Sequence, residues 1–141
     1  MIELPLSTEI DEPTPEGPLL LLAEDNELNV ETFADYLKFM GYCLVLAKNG
    51  EEAIAIAKTH KPDLIVMDIQ MPGIDGLEAS RQIRADQQIA HIPIIALTAL
   101  AMPGDRERCL AAGANSYLAK PVRLKELLGV IQQLLRYDSC R

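Results

Sequence analysis

Five short apolar runs punctuate the chain: residues 19–23 (LLLLA), 42–47 (YCLVLA), 63–67 (DLIVM), 92–97 (IPIIAL) and 116–119 (SYLA). They are brief and nearly uninterrupted by polar residues, which suits strands covered on both faces. Between them, apolar residues return at helical spacing. Val30, Phe33, Leu37 and Met40 share one face, with Asn26 as a cap and Gly41 as the exit. Ala53, Ile56, Ala57 and His60 mark a second helix, and a third covers about 76–86 behind Asp75 as its cap. In the fourth, Pro103 stands at a first helical position and Gly113 just past the end. Leu124, Leu127, Leu128, Ile131 and Leu135 line the fifth.

Five strand-helix repeats joined by short connections predict an α/β fold with a doubly wound, five-stranded parallel sheet, because each right-handed crossover returns the chain to the same end. The repeats occupy residues 19–136. Ahead of them, residues 1–18 carry four prolines and five acids without periodicity, the composition of an extended linker, and residues 137–141 form a short tail.

The polar residues that follow the runs give this architecture its chemistry. The first run ends in Glu24 and Asp25, the third in Asp68, the fourth in Thr98, and the fifth is followed by Lys120. In a parallel sheet all of these lie at one edge, where open α/β sheets bind their ligands. Two carboxylates about 5 Å apart repel by roughly 3 kcal/mol at an effective dielectric near 20. A cluster of three therefore calls for a raised pKa or a bound cation, and Mg²⁺ suits oxygen ligands that share it with a phosphate. Asp68 is then the natural nucleophile for an aspartyl phosphate, with Lys120 neutralising a phosphoryl oxygen and Thr98 donating to another.

At these residues the chain resembles the response-regulator receiver domains of two-component signalling, over about residues 19–136. The resemblance rests on LLLLAEDN, LIVMDIQMPGIDG, IPIIALTA and SYLAKP, in that order. It implies a flavodoxin-like (βα)5 fold with strand order 2-1-3-4-5. It also implies Asp68 as phosphoacceptor, and Mg²⁺ held by Glu24, Asp25, Asp68 and the backbone carbonyl of Gln70. Thr98 and Lys120 would contact the phosphoryl group, and Lys120-Pro121 resembles the cis peptide of the family. Tyr117 resembles its aromatic switch residue, although a packed strand aromatic is an equal reading.

The implied partners are a histidine kinase or histidine phosphotransfer domain, and a downstream protein reading the face of helix four, strand five and helix five. Self-phosphorylation and slow autodephosphorylation would accompany the switch, with a phosphoryl lifetime that depends on positions such as Gln70 and Leu100. The wording of AEDNELN and MPGDRERCLAAGANSYLAKP is similar to receivers on the C-terminal side of hybrid histidine kinases. A single-domain regulator is the alternative.

Charge and composition narrow the rivals. The formal charge is −8, but residues 1–37 hold ten of the 21 acids and no Lys or Arg, so the rest is nearly balanced. That leaves no basic stripe for a nucleic acid. Cys43, Cys109 and Cys140 form neither a disulfide framework nor a metal-type pair, which fits a reducing cytoplasm. There is no signal peptide and no apolar run near the ~20 residues of a membrane span.

A haloacid-dehalogenase-like phosphatase would place its nucleophile after the first strand in an Asp-x-Asp pattern, whereas here the acidic pair comes first and Asp68-Ile69-Gln70 later. A flavin binder of the same architecture needs a phosphate-cradling loop where AEDNE would repel phosphate. A pseudo-receiver acting only through protein contacts is the remaining alternative, against which stand Asp68, Thr98 and Lys120. Asp63 reads as a strand-start acid, His60 and His91 as surface residues, and Cys109 as half-buried packing.

Overall fold

The computed structural model describes residues 17–99 and 102–139, the last four as backbone only. Residues 1–16 of the expected linker, Leu100 and Cys140 lie outside the described residues. The order is β1 (Leu19–Ala23), α1 (Glu27–Phe39), β2 (Cys43–Ala47), α2 (Gly50–His60), β3 (Leu64–Asp68), α3 (Gly76–Ala85), β4 (Ile94–Thr98), α4 (Asp105–Ala111), β5 (Ser116–Ala119) and α5 (Leu124–Ser139). The five strands form one parallel sheet in the order β2-β1-β3-β4-β5.

Pleating divides the strand side chains between two cores. Leu20, Leu22, Val66 and Leu97 meet Phe33 and Leu37 of α1 and Leu127 and Ile131 of α5. Leu21, Ile65 and Met67 meet Ala53 of α2, Ala79 of α3 and Cys109 of α4. The small alanines on α2 and α3 let these helices approach the sheet, while bulk comes from the strands. The central strands β1, β3 and β4 are buried nearly throughout. The edge strand β2 is not, and Leu46 is 47% exposed there, so its apolar run overstates its cover.

Asn26, Asn49 and Asp75 cap α1, α2 and α3 through their side-chain oxygens, accepting from the amides of Asn29, Glu52 and Glu78. Asn26 and Asp75 follow the sequence reading. α4 starts later than expected. Gly104, at φ 88°, precedes its first residue Asp105, and Pro103 lies in the turn before, so proline does not open the helix. Asp63 accepts from the Leu19 amide at 2.8 Å, tying the entries of β1 and β3 together. Cys109 is fully buried, and burial pushes its thiol upward, so it packs more deeply than expected. His60 and His91 are exposed.

Candidate functional site

The ladder runs one residue beyond several strands and thereby aims the groups at its edge. The Glu24 amide donates to the Ala47 carbonyl at 3.0 Å, the Ile69 amide to Leu97 at 2.8 Å, and the Lys120 amide to Thr98 at 2.7 Å. Glu24 leaves β1, Asp68 ends β3, Thr98 ends β4 and Lys120 follows β5, all at one rim. Lys120-Pro121 is cis. Gly76 brings α3 against the end of β3: a Cβ there would lie 2.4 Å from the Asp68 carbonyl oxygen, so no larger residue fits without displacing that backbone.

Glu24, Asp25 and Asp68 each bring a carboxylate oxygen within 4.8 Å of the others. Glu24 and Asp68 are each 1% exposed, whereas Asp25 faces solvent. The Lys120 ammonium donates to Asp68 Oδ2 at 2.8 Å and lies 3.5 Å from Glu24 Oε1. The Gln70 amide donates to Asp68 Oδ1 at 3.0 Å, and the Asn26 amide to Glu24 Oε2 at 3.2 Å. One ammonium thus pairs with two carboxylates that are out of water, where an uncompensated charge is expensive, while a third, exposed carboxylate stands beside them.

Protonation equilibria reflect that imbalance. Burial and then the neighbouring Asp68 charge push the Glu24 carboxyl above its ordinary 4.5, against the pull of Lys120. Burial alone would lower Lys120. Its hydrogen bond to Asp68 and the charges of Asp68 and Glu24 outweigh this and hold the ammonium above its ordinary 10.5.

The residues fit a hard divalent cation. Glu24 Oε1 is buried and, among the described residues, has no hydrogen-bond donor, while an exposed and a buried carboxylate stand beside it. Oxygen-only donors of this kind are what Mg²⁺ takes.

Thr98 and Tyr117 stand differently from the acids. The buried Thr98 hydroxyl donates to Asp105 Oδ2 at 3.1 Å. Asp105 is itself 2% exposed, and its other oxygen accepts from Arg108. Tyr117 is half-buried and packs against the core shared with α2, α3 and α4. Gln70 meets Asp68 through its amide. The sequence pattern does not single out Asp105, since a helix opened by Pro103 leaves it no more than an acid near a helix start. Gly104, a residue suited to positive φ just ahead of the acid, was the available signal.

The fold is thus a flavodoxin-like sheet with a cation-competent acidic cluster and a lysine at its carboxyl edge. Residues 20–132 match the response regulator receiver domain family, and the chain belongs to it. Phosphoacceptance is the function of that family, its partners are in general histidine kinases or phosphotransfer proteins, and its members bind Mg²⁺ in the active site.

The chain is 41% identical to the polar-differentiation response regulator DivK of Brucella anthropi over 116 residues, covering 82% of this chain and 94% of that protein. It is similar to the receiver domain of sensor histidine kinase PA1611 from Pseudomonas aeruginosa PAO1, solved with magnesium coordinated in its active-site cleft. That match has 43% identity and a TM-score of 0.79 over 84% of this chain and 98% of the other. The signal receiver domain of a histidine kinase from Syntrophus aciditrophicus matches with 32% identity and a TM-score of 0.80, over 85% and 91% of the two chains. No helix among the described residues is long and apolar enough to cross a membrane.

Proposed function

We propose that Asp68 of this receiver domain accepts a phosphoryl group from a phosphohistidine on a kinase or phosphotransfer protein, with Mg²⁺ held by Glu24, Asp25, Asp68 and the Gln70 carbonyl. The observation that carries this reading is the convergence of three carboxylates at the rim of the sheet, the two buried ones both paired with Lys120. An Asp68 oxygen attacks phosphorus; the P–O bond forms as the P–N bond breaks, and the departing ring nitrogen keeps the bonding pair. Bound Mg²⁺ would offset the repulsion between carboxylate and phosphoryl oxygens. Lys120 already donates to Asp68 and sits where it can neutralise a phosphoryl oxygen, and Thr98 supplies a hydroxyl donor from β4. Water attacking the same phosphorus later returns the carboxylate and inorganic phosphate.

The altered surface, in this reading, is that of α4, β5 and α5, with Tyr117 repacking as Thr98 moves. On the same reading residues 19–136 form the receiver unit and 1–18 its linker, while α5 runs on to Ser139 and takes up the first three residues of the expected tail. The free thiols of Cys43 and Cys109 favour a reducing, cytoplasmic setting.

The test is intact mass after incubation with acetyl phosphate, with and without Mg²⁺, on the wild type and Asp68→Asn. The expected result is a Mg²⁺-dependent gain of one phosphoryl group that Asp68→Asn abolishes. Equal labelling of the variant would sink the assignment of Asp68. A folded wild type that never gains mass would instead favour a pseudo-receiver.

A further inference from the structure

We propose that Asp105 is a positioning residue that holds the Thr98 hydroxyl away from the phosphoryl site, so that Asp105 and the phosphoryl group compete for one proton. The proposal rests on the reading above that Thr98 donates to a phosphoryl oxygen. A threonine hydroxyl has one proton to donate. Here it goes to Asp105 Oδ2 at 3.1 Å, inside the fold, with both residues nearly or wholly out of solvent. The acceptor is a carboxylate, which makes the bond stronger than one to a neutral group. Its alternative, a phosphoryl oxygen on Asp68, is also anionic, so the two acceptors are comparable in kind.

The arrangement around Asp105 suits a latch. Its second oxygen is paired with Arg108, whose side chain is 60% exposed, so the carboxylate keeps a partner when Thr98 departs. The Asp105 amide is bonded to the Met102 carbonyl at 3.0 Å, which ties the carboxylate to the turn between β4 and α4. Release of Thr98 therefore frees the start of α4 from the end of β4. That couples the phosphoryl site to the face carrying the proposed output, through a bond that the resting protein has already made.

In Asp105→Asn the isosteric amide can donate to Thr98 Oγ1, leaving the hydroxyl proton for the phosphoryl group. The apparent affinity for beryllofluoride, a phosphoryl analogue, is read by amide NMR titration with saturating Mg²⁺. It is measured on the wild type, Asp105→Asn, Thr98→Ala and the double variant, with Asp105→Ala as a second replacement should the amide perturb folding. Losing a hydrogen bond to a charged group corresponds to about a tenfold tightening for Asp105→Asn in the Thr98 background. No tightening is expected in the Thr98→Ala background.

Unchanged or weaker binding in both Asp105 variants overturns the latch. So does an equal gain in the Thr98→Ala background, which would show simple charge repulsion from Asp105. Acetyl phosphate labelling of the wild type is run alongside. Absent labelling overturns the phosphoacceptor reading and the competition with it, whereas labelling with no effect of Asp105 overturns the latch alone.

Discussion

The two halves of the rim are at rest in opposite senses. At the ends of β1 and β3, Glu24, Asp25 and Asp68 crowd together, one ammonium pairs with Glu24 and Asp68, and Glu24 Oε1 has no hydrogen-bond donor among the described residues. At the end of β4, Thr98, Asp105 and Arg108 form a chain in which each oxygen of the buried carboxylate is paired. The first half is unfavourable until a cation arrives. The second is favourable until a ligand asks it to rearrange. A switch needs both: electrostatic strain that binding relieves, and a satisfied contact that binding must break.

Removing the cation of the acidic half breaks the comparison most severely. Lys120→Ala leaves two buried carboxylates without a counter-charge and is expected to cost about 3 kcal/mol in metal-free urea denaturation. Mg²⁺ should recover much of that loss, since it supplies the missing positive charge. An alanine variant as stable as the wild type in chelator would mean that Asp68 and Glu24 never needed Lys120. Thr98→Val tests the other half, because it leaves Asp105 Oδ2 without its hydroxyl donor at a buried site. The loss expected is about 1–3 kcal/mol, and Mg²⁺ should not restore it. Recovery by Mg²⁺ in Thr98→Val would erase the distinction between the halves.

Glu24→Gln should act in the opposite direction. It removes a buried negative charge beside Asp68, so the metal-free protein should gain stability at neutral pH, where burial and the Asp68 charge disfavour the ionised Glu24. The same variant should lose the stabilisation that Mg²⁺ gives the wild type, visible as a smaller rise in melting temperature on adding the ion. A metal-free loss of stability in Glu24→Gln would show that Lys120 over-compensates the cluster.

These two halves were unequally legible in the chain. The acids sit directly after apolar runs, and parallel strands must bring such residues to one edge, so Glu24, Asp25, Asp68 and Lys120 could be gathered from spacing alone. The three central runs proved to be strands buried nearly throughout. The edge strand β2 showed the limit: Leu46 reads like Leu22 in the sequence, but whether a further strand lies beside it is a tertiary fact. For Asp105 the chain offers only an indirect signal, the glycine ahead of it. Its partner Thr98 lies across a turn whose path depends on Gly104 at positive φ, and an acid near a helix start has a sufficient local explanation. Tyr117 was readable as a strand aromatic, and it packs as one against the core.

The smallest effect expected sharpens the comparison by pH. The Glu24 carboxyl titrates above its ordinary 4.5 in the folded protein because burial and Asp68 disfavour its charge. Between the unfolded and folded values the native state binds more protons than the unfolded chain, so stability falls as pH rises through that window. The penalty is fully present above the folded value and is relieved as pH drops toward 4.5. In chelator, the stability gap between Glu24→Gln and the wild type should therefore narrow as pH is lowered from 8 to 5, because the glutamine carries no such titration. Thr98→Val keeps Glu24 intact, so its gap from the wild type should stay constant over the same range. With Mg²⁺ bound, the native state favours the charged carboxylate, and the pH dependence assigned to Glu24 should reverse sign. A gap between Glu24→Gln and the wild type that holds constant in chelator would mean that water, rather than Lys120 or a cation, already satisfies that carboxylate.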